Sequence, residues 1–103
     1  MARSLILPVA EQDIVRLFEY HLDHSDHTAH RFADAVIEAV RQLETFPESG
    51  PAQPNLGEGI RVVHLNRYRA NLYYIVAGED DDPLVTILRV FRQERDIGEQ
   101  DFE

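Results

Sequence analysis

The side chains most able to do chemistry here are arginines, and most of them fall in the last half of the chain. Arg61, Arg67, Arg69, Arg89, Arg92 and Arg95 sit within or beside three apolar runs. A guanidinium inside a strand needs a carboxylate, a carbonyl or a partner molecule, because a buried unpaired charge is costly. Two uses are open. Arg61, Arg89 and Arg95 can pair internally with carboxylates such as Glu94 or Asp96. Alternatively, Arg61, Arg89, Arg92 and Arg95 present a target-binding surface near the last strand. All ten basic residues are arginine, which excludes Schiff-base chemistry, a P-loop lysine and a lysine general acid. The absence of cysteine excludes disulfides and thiolate metal sites.

Histidines form a second constellation. His21, His24, His27 and His30 recur at three-residue intervals, and helical neighbours at i, i+3 can share a metal suited to imidazole. The interval runs through a helix break, however, and three-residue steps drift round a helix. The plainer reading is a polar hairpin tip with His21 partly covered, and no metal or other cofactor is expected. His64 lies in an apolar run. It is either an acid–base group, with Arg61 and Arg89 clamping a phosphate, or one side chain of an ordinary strand, and the second is expected.

The elements that position these groups follow from periodicity. Residues 4–9 (SLILPV) read as a short strand, with Pro8 at its end or on a sheet edge. Ile14, Leu17, Phe18 and Leu22 have the spacing of an amphipathic helix beginning near residue 10. Glu11 and Asp13 lie near its start, where the helix dipole favours negative charge. Ser25 or Asp26 is a candidate N-cap for a second helix, to about Glu44, with Ala29, Phe32, Ala33, Val36, Ile37, Val40 and Leu43 as its apolar stripe. The short break predicts a helical hairpin over about 10–45. Residues 46–59, rich in Pro and Gly, are a loop. Strands follow at about 60–66, 68–78 and 84–92, with a tight turn or bulge near Arg67, and residues 97–103 read as an acidic, frayed tail.

Helices early and strands late predict one α+β domain over 1–103, in the order β-α-α-β-β-β. A helical hairpin packs on a three- to four-stranded antiparallel sheet. The last strand, LVTILRVF, is apolar on both faces and should be central. One face meets the helices, and the other must meet the tail or another chain.

The 103 residues suit one domain with one core, and 19 acidic against 10 basic residues give a net charge of −9. This acidity argues against direct nucleic-acid binding and favours a basic or amphipathic partner. The N-terminal apolar run is too short for a signal peptide or a membrane span, so the expected location is cytoplasmic, with no membrane association.

Taken in order, ILPVAEQDIVRLFEYH, HTAHRFADAVIEAVRQLETFPESG, GIRVVHLNRYRANLYYIV and VTILRVFRQERDI resemble the ParE branch of the RelE/ParE toxin superfamily over nearly the whole chain. The most telling pieces are Leu43 to Gly50, Gly59-Ile60-Arg61, the strand from Tyr68 to Tyr74, and Arg89-Val90 followed by Arg95-Asp96. The resemblance implies the toxin of a type II toxin–antitoxin module that binds DNA gyrase and is neutralised by a cognate antitoxin folding on binding. RelE-like relatives are ribosome-dependent mRNA endoribonucleases. Their lysines are missing here, and Phe91 and Arg92 follow Val90 where His or Tyr would serve catalysis. No catalytic residue is therefore assigned, and an enzyme is not expected. A ribonuclease remains the alternative, and a degenerate, non-toxic acidic binding module a third reading. The resemblance also implies an antitoxin arm, here expected along Leu17, Phe18, Phe32 and Val36 and beside a poorly defended sheet edge.

Overall fold

Pro8 decides where the first strand stops. In the computed structural model, which describes residues 1–103, Pro8 opens a helix instead of ending a strand. Leu7 precedes it in extended conformation, and the missing proline N–H is harmless in a first helical turn. The elements are β1 (Arg3–Ile6), α1 (Pro8–Leu22), α2 (Asp26–Thr45), β2 (Arg61–Leu65), β3 (Ala70–Glu79) and β4 (Asp82–Arg92). Short 3-10 turns occupy Asn66–Tyr68 and Glu99–Phe102. Ser25 caps α2, its side chain accepting from the Thr28 N–H at 3.2 Å. No helix is long and apolar enough to cross a membrane.

The four strands lie in the order β1-β4-β3-β2, so β4 is central, as its two apolar faces require. β2–β3 and β3–β4 are antiparallel, whereas β1 pairs with β4 in parallel. The sheet is therefore mixed rather than wholly antiparallel. Short turns force antiparallel neighbours within the meander, but β1 rejoins the sheet by way of the helices, and a four-residue pattern carries facing without direction. The turn near Arg67 is a 3-10 turn closed by Arg69 in left-handed conformation at φ 55°.

The helical hairpin covers one face. Leu17 from α1 and Phe32, Val36 and Leu43 from α2 are buried against Leu72, Tyr74, Val85, Ile87 and Val90. Each large side chain removed from water in this way contributes about 1.5–3 kcal/mol. Three of the residues expected to meet an antitoxin arm fall in this core. Leu17, Phe32 and Val36 are core, and a partner can reach them only if the hairpin leaves the sheet. An apolar helical stripe serves the core or a partner, not both. Phe18 alone of the four is half-buried, its ring edge-on to His30 at 5.3 Å.

The opposite face is covered by the chain itself. Val62, Tyr73 and Phe91 form a second cluster with Leu56 and Ile60, and Ile97 and Phe102 pack onto it. The C-terminal segment is thus docked rather than frayed, with the Phe102 ring 5.3 Å from that of Tyr73. The 46–59 loop is tied down at Gly50, whose N–H donates to the Tyr74 hydroxyl at 2.9 Å. A Cβ at Gly50 would stand 2.5 Å from the Val62 carbonyl oxygen, so only glycine fits there.

Candidate functional site

β1 ends opposite Ile87 and leaves the edge of β4 open beyond it. Asp13, projecting from α1, takes over that edge. Its Oδ2 accepts from the Val90 N–H at 3.1 Å and from Arg89 Nε at 2.7 Å, while Oδ1 accepts from Arg89 Nη2 at 2.9 Å. Arg89 Nη1 also donates to the Asp101 carbonyl at 3.2 Å, joining the helix to the tail. The Asp13 hydrogen bonds hold the guanidinium above its ordinary pKa, against the opposing effect of burial. A guanidinium bonded bidentately to a buried carboxylate is not free for a ligand. The partner expected for Arg89 was Glu94 or Asp96. It is Asp13, 76 residues away in sequence, and no spacing signals such a pair.

Arg61 is likewise taken up by structure. Its Nη1 donates to the carbonyls of Glu48 at 3.0 Å and Gly50 at 2.7 Å, stapling the 46–59 loop to β2. Of the four arginines expected to meet a target, Arg61 and Arg89 are therefore internal fasteners. Arg92 and Arg95 are different. Both are exposed and line a cleft of about 420 Å³ between α1 and the end of β4. An adjoining cleft of about 210 Å³ shares Leu17, Tyr20, Arg92 and Glu94 as a common wall.

Three further arginines, which the sequence did not single out for this role, complete the rim. Arg16 comes from α1, and Arg67 and Arg69 from the β2–β3 turn. Glu94 lies among them, 3.3 Å from Arg92 and 3.9 Å from Arg69. Arg95 pairs with Asp101 at 2.8 Å, not with Glu94 or Asp96, and its guanidinium stands 4.2 Å over the Phe91 ring. A larger cleft of about 600 Å³ at the other end of β3 is lined by Phe46, Glu48, Glu79 and Asp80 among others and holds no basic side chain.

The histidine series is dispersed. His21 packs between Phe32 and Tyr68, at ring separations of 5.1 and 5.9 Å. His24 Nδ1 bonds the Tyr20 carbonyl at 3.0 Å, and His30 faces Phe18. No three metal-ligating side chains converge. Burial, and then the proximity of His24, lowers the pKa of His21, opposed by a backbone hydrogen bond at Tyr68. His64 bonds Asn71 Oδ1 at 2.8 Å across β2–β3. Its supposed phosphate clamps, Arg61 and Arg89, are both engaged elsewhere.

Comparison with known proteins agrees with this architecture. No curated protein matches the sequence. Among solved structures, one described as the chromosomal ParDE TA system from P. aeruginosa matches with a TM-score of 0.75 at 21% identity. The match covers 91% of this chain and 98% of that one, which establishes a shared fold. The family described as ParE toxin of type II toxin–antitoxin system, parDE, matches residues 5–97. That span runs from β1 through the arginine-bearing end of β4, and the chain belongs to the ParE toxin family.

Proposed function

We propose that the protein is the toxin of a type II toxin–antitoxin module that acts by binding DNA gyrase, not by cleaving RNA, and that a cognate antitoxin neutralises it. The observation that carries the mode of action is the division of labour among the arginines. Arg92 and Arg95 lie exposed on a cleft, while Arg61 and Arg89, which a ribonuclease reading would need as phosphate clamps, are bonded internally. His64 does not line that cleft. Phe91, at a position where ribonuclease relatives are expected to keep catalytic groups, is buried beneath two guanidinium groups.

The antitoxin in this reading supplies an arm that orders on binding. The exposed edge strand β1, with Leu5 half in water, and the half-buried Phe18 are the apolar features left for it once Leu17, Phe32 and Val36 are in the core. Because the toxin carries a net charge of −9, such an arm is expected to be rich in arginine or lysine. The test is inhibition of gyrase supercoiling by the purified chain, relieved by the product of the adjacent gene. Specific mRNA cleavage in a translation assay, abolished by His64→Ala, would replace this reading with the ribonuclease.

A further inference from the structure

We infer that the joined cleft between α1, the β2–β3 turn and the end of β4 is a carboxylate-reading groove, and that it takes an acidic segment of the toxin's protein target. This deepens the proposed function and rests on it for the identity of the partner, but not for the chemistry of the groove. Five of the ten arginines in an acidic chain, Arg16, Arg67, Arg69, Arg92 and Arg95, converge on this surface, whose lining includes only Asp13 and Glu94 as carboxylates. Asp13 is already neutralised by Arg89. The groove is therefore a local positive region on a protein whose overall field is negative.

The groove's own ion pairs supply an internal template for such a ligand. Glu94 bridges Arg69 and Arg92, Asp101 takes Arg95, and Arg16 leans toward Asp13 at 3.8 Å. Arg67 makes no ion pair. Every anion the groove now holds is a carboxylate, and Glu94 occupies the place an incoming glutamate or aspartate would take. Its pairs are long and half-exposed, of the kind that exchange partners with little loss.

Single-stranded nucleic acid, the other ligand suited to arginine and aromatic side chains, fits less well. Such binding gains most from bases stacking on open rings. Here the Tyr20 ring lies 5.3 Å below the Arg92 guanidinium and beside His21 and His24, while Phe91 lies beneath Arg89 and Arg95. Phe91 is buried, and the Tyr20 ring, though 43% exposed, is shared with Arg92. The chain's negative field also opposes a long polyphosphate more than a short peptide segment.

The experiment is an NMR titration of the full chain, following arginine Nε–Hε resonances, with a short peptide of glutamate and tyrosine and, separately, an oligouridylate of equal length. Saturable shifts at Arg16, Arg67, Arg69, Arg92 and Arg95, with Arg3 and Arg61 unmoved, are expected for the peptide. Glu94→Gln removes the internal competitor and should tighten peptide binding about two- to fivefold. Arg69→Glu combined with Arg92→Glu should weaken it about tenfold or more while leaving the amide spectrum folded. Absence of peptide shifts, tighter binding of the oligouridylate, or weaker peptide binding by the Gln variant would each overturn the inference. The supercoiling assay separates the two claims. Peptide binding without gyrase inhibition supports the groove and removes gyrase as the target, whereas inhibition that survives the double substitution, with no peptide binding, keeps the toxin and removes the groove.

Discussion

Arg89 and Arg92 stand on the same strand, three positions apart, and carry the same group, yet they belong to different parts of the protein's physics. The Arg89 side chain is 17% exposed and held bidentately by a carboxylate that is itself buried. Arg92 is 49% exposed, with one carboxylate at 3.3 Å and an aromatic ring below it. The difference arises from their neighbours. β1 stops short, so α1 must supply Asp13 to finish the β4 edge, and Arg89 neutralises the charge thus buried. Arg92 lies past that repair, where water competes for every contact. Arginine type and strand position do not distinguish a fastener from a contact surface; the dielectric around the guanidinium does.

The sharpest way to break this comparison is Arg89→Ala. It leaves Asp13 buried with the Val90 N–H as its one hydrogen-bond partner and the exposed Arg16 at 3.8 Å, and urea denaturation should show a loss of about 3–5 kcal/mol. Replacing Asp13 and Arg89 together by leucine and methionine should restore much of that loss. A cost below about 1 kcal/mol for the single change, within the range of an exposed ion pair, would place Arg89 in the same class as Arg92.

Phe102→Ala examines the tail face on which Arg89 also rests. Because Phe102 is only half-buried, the expected loss is about 1–2 kcal/mol, below the full burial value for such a ring. The β1–β4 pairing should keep its amide-exchange protection, and loss of protection there would show that the tail supports the whole sheet.

His21 gives a pH-dependent case of the same rule, a titratable group whose environment sets its state. Its pKa is lowered in the folded protein, so folding favours the neutral ring. Stability from this source is complete above the ordinary value of 6.5 and is lost as pH falls through that value toward the lowered one. His21→Phe, which keeps an aromatic ring against Phe32 and Tyr68, should flatten the fall in melting temperature between neutral and mildly acidic pH. An unchanged slope would assign the effect to other groups.

Arg92→Ala should do least to stability, within about 0.5 kcal/mol of the parent, as for a surface change away from caps and cavities. Its effect is expected in function, as loss of the proposed gyrase inhibition with an unchanged melting curve. Equal losses in both would erase the distinction from Arg89.

Much of this architecture was legible in the sequence because it is periodic. The stripes of α1 and α2, the Ser25 cap and the apolar-on-both-faces β4 each repeat or break at a recognisable interval. What was not legible is what periodicity omits. The parallel direction of β1 has no counterpart in a four-residue pattern. Asp13 read as a helix-dipole residue because its real partner lies across the fold. Ile97 and Phe102 lie in a segment that reads as an acidic, frayed tail, and only the open aromatic patch at Tyr73 and Phe91 gives them a place. The arginine-lined cleft was half legible. Arg92 and Arg95, expected to meet a target, lie exposed on it, but Arg16 and Arg69 join them only through the packing of α1 and the left-handed turn at Arg69.

The repair of β4 by Asp13 also bears on the order in which the molecule comes into being. β1 has no strand partner other than β4, and Asp13 and Val90 meet only once 77 residues of chain separate them. During synthesis the helical hairpin is made first, with its apolar stripe uncovered, and β2 with β3 gives it only part of a floor. The N-terminal elements lock when β4 arrives between β1 and β3. Closure of this kind depends on the most distant contacts in the chain, which slows folding and couples it to completion. The arginine groove, built from α1 and the far end of β4, forms in that same final step. The nascent chain therefore carries no assembled arginine groove while it is still being made.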